Sequence, residues 1–207
     1  MTEEEAWRLA QTLNVSRESW SRVARFVDLA LTWQRRINLI SPASVDDIWQ
    51  RHVIDSLQLL PHLPTAAKAF ADLGSGSGFP ALPLAIASGL EVHTYESNGK
   101  KAAFLREALR VCAVPGTVRL MRLEHVSRQA IPPVQFVTAR ALAPLDVLLG
   151  WAEPFLMSGA RGLFHKGQDI GAELTQAAKS WRIQFRTHQS LTDSRAVILE
   201  VEEAARV

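Results

Sequence analysis

Apolar positions follow two different rhythms along the 207 residues. Over the first 62 positions they recur at helical spacing. Glu3–Leu13 forms a short amphipathic piece, and Ser16 opens a longer one. In the latter, Val23, Phe26, Val27, Ala30, Leu31 and Trp33 line one side between Arg17 and Arg36. The run "NLISPAS" interrupts this pattern, with Pro42 as a breaker. Ser44 then predicts the cap of a third helix that reaches about Leu60. Asp46 and Asp47 lie in its first turn, where carboxylates suit the positive end of the helix dipole. Its apolar side is Ile48, Trp49, Val53, Leu57 and Leu60.

From Lys68 the rhythm becomes short apolar runs separated by helical segments. "KAFADL", "LEVHTYE", "GTVRLMR", "VQFVTAR" and a run ending at Lys166 predict five strands. Helices are predicted from the residues after Phe79, over Asn98–Cys112, near Leu145–Leu156 and over Asp169–Ser180. Two further strands, Trp181–His188 and Ala196–Val201, follow without an intervening helix and predict an antiparallel edge hairpin. The expectation is an α/β chain built on a mainly parallel seven-stranded sheet covered on both faces. Residues 1–62 read as a helical extension and 63–207 as the main domain.

Composition narrows the picture in a few places. No apolar run reaches the roughly 18 residues of a membrane helix. The start, "MTEEEAWRLA", is unlike a signal or transit peptide, and the expectation is a cytoplasmic protein. One cysteine, Cys112, supports neither an internal disulfide framework nor a multi-cysteine zinc site, so no metal is expected. Net charge is +2 and the pI near 9.0, with no basic tail. Nucleic-acid binding would therefore need a folded local surface rather than bulk charge.

The candidate chemistry begins at "ADLGSGSGFP", residues 71–80. A strand, a glycine-rich turn and a helix make a crevice at the carboxyl end of a parallel sheet. A phosphate loop would need lysine after its last glycine, and none follows Gly78. A nicotinamide fingerprint starting at Gly74 would need glycine where Phe79 stands. The spacing D-x-G-x-G-x-G, through Asp72, Gly74, Gly76 and Gly78, is that of class I methyltransferases that use S-adenosylmethionine. Asp72 can order the loop or reach the amino group of the methionine. Glu96, at the end of the next strand, can accept hydrogen bonds from both ribose hydroxyls of a nucleoside. The backbone around Leu123 and Glu124, in "RLEHV", can reach a base edge while Leu123 packs on its face. The loop alone also fits a non-enzymatic S-adenosylmethionine sensor or a small-molecule methyltransferase. In the third helix His52, Asp55 and Ser56 share a face, and Arg51 can pair with Asp55 at i, i+4.

Together these segments resemble the ribosomal small subunit methyltransferase G family, also called glucose-inhibited division protein B. The match rests on "NLIS" at 38–41, "RHVIDSLQLLP" at 51–61, "DLGSGSGFPALPLAIA" at 72–87 and "ESNGKKAAFLRE" at 96–107. It continues through "RLE" at 122–124, "TARAL" at 138–142 and "KG" at 166–167, covering nearly the whole chain in order. Glu96–Ser97 stands where the family usually has Asp-Ser, and Val134–Gln135 where it has Phe-Asp. The resemblance implies a Rossmann-like fold and transfer of a methyl group from S-adenosylmethionine to N7 of the guanine at position 527. That guanine lies in the 530 loop of 16S ribosomal RNA, presented in the 30S subunit or an assembly intermediate. It implies cofactor contacts at Gly74, Phe79, Leu123, Glu124 and Arg140, added to Gly76, Gly78 and Glu96 from the loop and strand reading. His52, Arg140 and Lys166 are the expected substrate-facing groups. Guanine N7 carries a lone pair and no proton, so no general base is expected.

Overall fold

The computed structural model describes residues 1–207. Two N-terminal helices open the chain, α1 (Glu3–Thr12) and α2 (Arg17–Gln34). Thr2 and Glu5 form a reciprocal capping box on α1, and the Ser16 side chain caps α2 at Ser19 N. The sheet strands are β1 (Ala69–Leu73), β2 (Glu91–Glu96), β3 (Gly116–Leu120), β4 (Phe136–Arg140), β5 (Arg161–Lys166), β6 (Trp181–Gln189) and β7 (Val197–Arg206). They lie in the order β3-β2-β1-β4-β5-β7-β6. The first five pair in parallel, and β7 runs antiparallel to both β5 and β6. This is the mainly parallel seven-stranded sheet expected from the sequence, closed by the expected hairpin.

The remaining helices are α4 (Ala81–Ser88), α5 (Gly99–Val111), α6 (Leu145–Leu156) and α7 (Ile170–Ala177) after a short α3 (Asp55–Leu57). One face of the sheet packs against α4 and α5, with α2 laid over both, through Phe26, Phe70, Leu82 and Phe104, all with no exposure, and α1 rests on Trp49–Ile54. The other face packs against α6 through Leu149, Ala152 and Phe155. Truncating a buried phenylalanine such as Phe26 to alanine costs about 3–5 kcal/mol. The apolar face of β1, five buried residues in a row, explains its continuous hydrophobic pattern, because helices cover both its sides.

Three local expectations are corrected. The helix predicted from Ser44 to Leu60 starts only after a 3-10 turn (Pro42–Ser44), is π-helical over Trp49–Ile54, runs on directly as α3 and gives way to a second 3-10 turn (Leu60–His62). Ser44 caps nothing here: it is buried, and its hydroxyl is used by Ser41 and His52. A wide turn and an α-helix place apolar residues on nearly the same side, so the short pattern could not separate them. The expected Arg51–Asp55 pair is also absent, because the Asp55 carboxylate turns to Arg140. Finally, β7 runs on to Arg206 rather than ending near Val201. Its extension is held by cross-strand pairs from Glu202 to Gln184 and Arg186, past a bulge at Gln184/Phe185.

Candidate functional site

Strand order reverses between β1 and β4, which places a crevice at their carboxyl ends. The glycine loop leaves β1 there, and the segment Ala141–Pro144 leaves β4 beside it. The two loops touch closely. A Cβ on Gly74 would lie 2.3 Å from Leu142 Cδ1, and its φ of +67° already disfavours a side chain. Gly78, with φ +80°, packs under the Phe26 ring. Gly76 meets nothing closer than 3.6 Å at the same test, so its open side faces the crevice.

Gly74, Gly76, Glu96, Leu123 and Glu124 line a single cavity of about 370 Å³, together with Ser97, Leu142 and Trp151. These are five of the residues that sequence reasoning assigned to the cofactor. Glu96 is buried at the tip of β2, and its two carboxylate oxygens accept from Gly76 N (2.8 Å) and Asn98 N (2.7 Å). These bonds hold the carboxylate still and leave lone pairs on each oxygen for vicinal hydroxyls. Leu123 and Glu124 sit on a 3-10 turn after β3, at the opposite wall. Gly78 is not in this lining. Phe79 lines an adjoining cavity of about 380 Å³ that also contains Gly74, Gly76, His52 and Arg140.

Asp72 lies beneath the loop rather than in it. Register places it opposite Thr138 of β4, whose hydroxyl donates to Asp72 Oδ1 at 2.6 Å. Oδ2 has no protein partner. Burial pushes its pKa up to about 6, against the pull of the Ser75 and Thr138 hydrogen bonds and of Arg140.

Arg140 ends β4 and is gripped by the segment that carries "RHVIDS". Its Nη1 donates to the Arg51 carbonyl (2.8 Å) and to Asp55 Oδ2 (3.1 Å). Its Nη2 donates to His52 Nδ1 at 2.7 Å, and the guanidinium lies over the Phe79 ring at 5.7 Å. A π-helical turn at functional positions is common, and here it presents the Arg51 carbonyl, His52 and Asp55 to one arginine. Burial, then the Arg140 charge, lowers the His52 pKa to about 4, so its ring is neutral at physiological pH.

Asp55 joins further elements. Its Oδ1 accepts from Gln58 Nε2 (2.7 Å) and from Thr192 Oγ1 (2.9 Å). His165, opposite Arg140 in the β4–β5 register, donates from Nε2 to the Asp55 carbonyl at 2.7 Å. Desolvation lowers the pKa of His165 and keeps it neutral. Gln58 Oε1 accepts from Leu191 N (2.8 Å), which ties the β6–β7 loop to the same corner.

Lys166 ends β5 and lines two further cavities of about 560 and 590 Å³, both bordered by Arg140, Ala141 and His165. Its Nζ is engaged, donating to the Ala143 carbonyl (3.1 Å) and pairing with Glu173 of α7. Glu173 also accepts from Leu145 N at 2.7 Å. The pair thus pins the segment after β4. Sequence reasoning missed Ser44, Ala141, Leu142 and Glu173 as parts of the site, and set Asp55 beside His52 on one helix face without its Arg140 partner. The "TARAL" run was the signal for Ala141 and Leu142; Glu173 offered none, since a helix carboxylate looks like surface.

The donor set fits a nucleoside whose ribose meets the Glu96 carboxylate. The cavity that contains Glu96 has a second acid, Glu124, balanced by Lys101 and Arg122, and the buried Asp72 lies under its loop with an orphan oxygen. The unpartnered Asp72 oxygen is an acceptor suited to an ammonium, and the Glu96 carboxylate one suited to vicinal hydroxyls.

A family model described as rRNA small subunit methyltransferase G matches residues 20–200. The chain is 48% identical over 196 residues to the ribosomal RNA small subunit methyltransferase G of Bradyrhizobium diazoefficiens, covering 93% of this chain and 75% of that protein. It is 47% identical over 192 residues to the protein of the same name from Paramagnetospirillum magneticum, covering 93% of this chain and 92% of that one. Among solved structures, an O-methyltransferase of Bacillus cereus in complex with S-adenosylhomocysteine superposes with a TM-score of 0.56 at 14% identity. That match covers 86% of this chain and 91% of that one, and it shows the fold alone.

Proposed function

The chain belongs to the rRNA small subunit methyltransferase G family, and from that premise we propose that it methylates 16S ribosomal RNA at N7 of guanine 527, in the 530 loop, using S-adenosylmethionine. The observation that carries the cofactor assignment is the Glu96 carboxylate, held by Gly76 N and Asn98 N at the wall of a cavity of about 370 Å³. Glu96 accepts the ribose hydroxyls there, Leu123 and Glu124 take the base, and the Gly74–Gly76 backbone passes beside the ligand. Phe79 and Arg140 border the adjoining cavity where the methionine end fits. S-adenosylmethionine supplies a methyl group bonded to a sulfonium.

The protein's own part is positioning and charge. Guanine N7 has no proton to lose, so nothing in this site needs to act as a base. The unprotonated Nδ1 of His52 is taken by Arg140 Nη2, which agrees with that role. The guanidinium of Arg140 lies between the cofactor cavities and the two beside Lys166. Exposed Arg51 and Arg195 border the larger of those and are suited to backbone phosphates. Residues 1–62 act as a helical extension packed on the domain formed by 63–207. A net charge of only +2 suits RNA delivered in the 30S subunit or an assembly intermediate, where shape supplies much of the recognition. The compartment that follows is the cytoplasm. No helix of the chain is long and apolar enough to cross a membrane.

Incubation with radiolabelled S-adenosylmethionine and 30S subunits lacking the modification tests this. Borohydride–aniline cleavage should give one new break in the 530 loop. Binding of S-adenosylmethionine without transfer to 30S subunits or free 16S RNA would overturn it and leave a sensor or a small-molecule enzyme.

A further inference from the structure

We propose that His52 is a positioning residue: a neutral imidazole in one fixed tautomer, whose Nδ1 lone pair aims the Arg140 guanidinium at the junction of the cofactor and substrate cavities. The inference rests on the methyltransferase reading and adds to it a role for a residue that the sequence placed on the substrate side.

The geometry leaves one protonation pattern. Arginine is a donor only, so the 2.7 Å contact from Arg140 Nη2 requires an unprotonated Nδ1. The proton of a neutral ring is then on Nε2, which donates to Ser44 Oγ at 3.0 Å. The Ser44 hydroxyl gives its own proton to the Ser41 carbonyl (2.9 Å) and accepts a second bond from Ser41 Oγ (3.0 Å). Every proton and lone pair of Ser44 is thereby used. Ser44 cannot present a donor to the ring, so the tautomer cannot invert without breaking this set. The chain Ser41–Ser44–His52–Arg140 links the loop after α2 to the end of β4.

The surroundings disfavour a charged ring. Desolvation and the adjacent guanidinium both lower its pKa, outweighing the pull of Asp55. Packing fixes the ring plane as well, with the Phe79 ring at 5.1 Å from it and 5.7 Å below the guanidinium. Arg140 therefore has three acceptors in three directions, the Arg51 carbonyl, Asp55 Oδ2 and His52 Nδ1. Of these, only His52 accepts at Nη2, and losing it leaves the guanidinium free to turn about the Nη1 contacts.

Paired amide substitutions separate this role from simple packing. His52→Asn keeps a carbonyl oxygen where Nδ1 stands, whereas His52→Gln puts its polar atoms near Nε2 and leaves nothing at Nδ1. With 30S subunits as substrate, His52→Gln and His52→Leu should lower kcat about tenfold, the loss expected for one charged hydrogen bond, at nearly unchanged KM for S-adenosylmethionine. His52→Asn should recover most of that loss. Equal impairment of the Asn and Gln variants, or no impairment of either, would overturn the proposal. Histidine ¹⁵N shifts in the wild-type protein give a readout independent of turnover. A non-protonated Nδ1 and a protonated Nε2 at neutral pH are expected, and Arg140→Met should shift the Nδ1 resonance. A protonated Nδ1 would overturn the assignment even in a protein that proved to transfer no methyl group, an outcome that would by itself count against the functional reading alone.

Discussion

Asp72 and His52 show how burial acts in opposite directions on an acid and a base. The Asp72 carboxyl holds its proton up to about pH 6 in the folded chain, against an ordinary value of 3.8. Between those values the folded state binds more protons than the unfolded one. Its contribution is therefore most favourable at low pH and is lost as pH rises through 6. The cost at neutral pH is on the order of 2–3 kcal/mol. Asp72→Asn keeps the oxygen that accepts from Thr138 and removes the buried charge. It should raise the melting temperature at pH 7.5 by several degrees, with a smaller gain at pH 5, while weakening S-adenosylmethionine binding. Thermal melts at the two pH values check the first part and calorimetry the second. His52 runs the other way. Its pKa falls from 6.5 to about 4, so the unfolded chain takes up the proton first, and stability is lost as pH falls through that window. The two effects meet between pH 4 and 6, which makes single substitutions more informative than the pH profile of the whole protein.

At the scale of elements, the turn Trp49–Ile54 with α3 acts as a clamp. It reaches β4 through Arg140, β5 through His165 and the β6–β7 loop through Gln58 and Thr192. Each of those contacts comes from one short stretch, residues 51–58. That density gives each polar residue of the "RHVIDS" run a partner although the run reads in sequence as a polar helix face. The stretch is helical as expected but wound as a π-helix over Trp49–Ile54, and its local pattern carries no sign of the partners that widen it. Gln58 is the test of the clamp on the loop. Gln58→Ala removes the acceptor of Leu191 N and one donor to Asp55, a loss of about 1–2 kcal/mol of local stability. Amide hydrogen exchange at Leu191–Asp193 should speed up at least about fivefold, with the amides of β1 and β4 unchanged. Unchanged exchange at the loop would mean that it is held by other contacts.

For the whole molecule, the reversal of strand order between β1 and β4 brings Gly74 and Leu142 into contact across the crevice. A ligand that bridges the β1, β2 and β4 tips should stabilise the entire sheet. S-adenosylmethionine at about 100 times its dissociation constant should add ~2.7 kcal/mol, raising the melting temperature by roughly 5–10 °C. A nicotinamide dinucleotide should give no shift, because Phe79 stands where the third glycine of its phosphate-binding turn is needed. A shift with the dinucleotide and none with S-adenosylmethionine would contradict the cofactor reading.

Local rules determined the parallel strands, the edge hairpin, the glycine loop and the acid at the end of β2. These depend on periodicity and on residues close together in the chain, and a hydrophobic run or a turn glycine carries its reason with it. The cavity holding Gly74, Gly76, Glu96, Leu123 and Glu124 follows almost directly from them, since the ends of adjacent parallel strands must meet. Tertiary structure alone decided what the charged side chains face. Arg140 could have pointed to solvent, Asp55 to Arg51 and Lys166 to a substrate. Instead Arg140 lies against Arg51, His52 and Asp55, and Lys166 is paired with Glu173. The partners are separated by up to 89 positions in the chain. A charged side chain removed from water takes whichever counter-group the packing brings within reach, and that is set by how the elements assemble rather than by its neighbours in sequence.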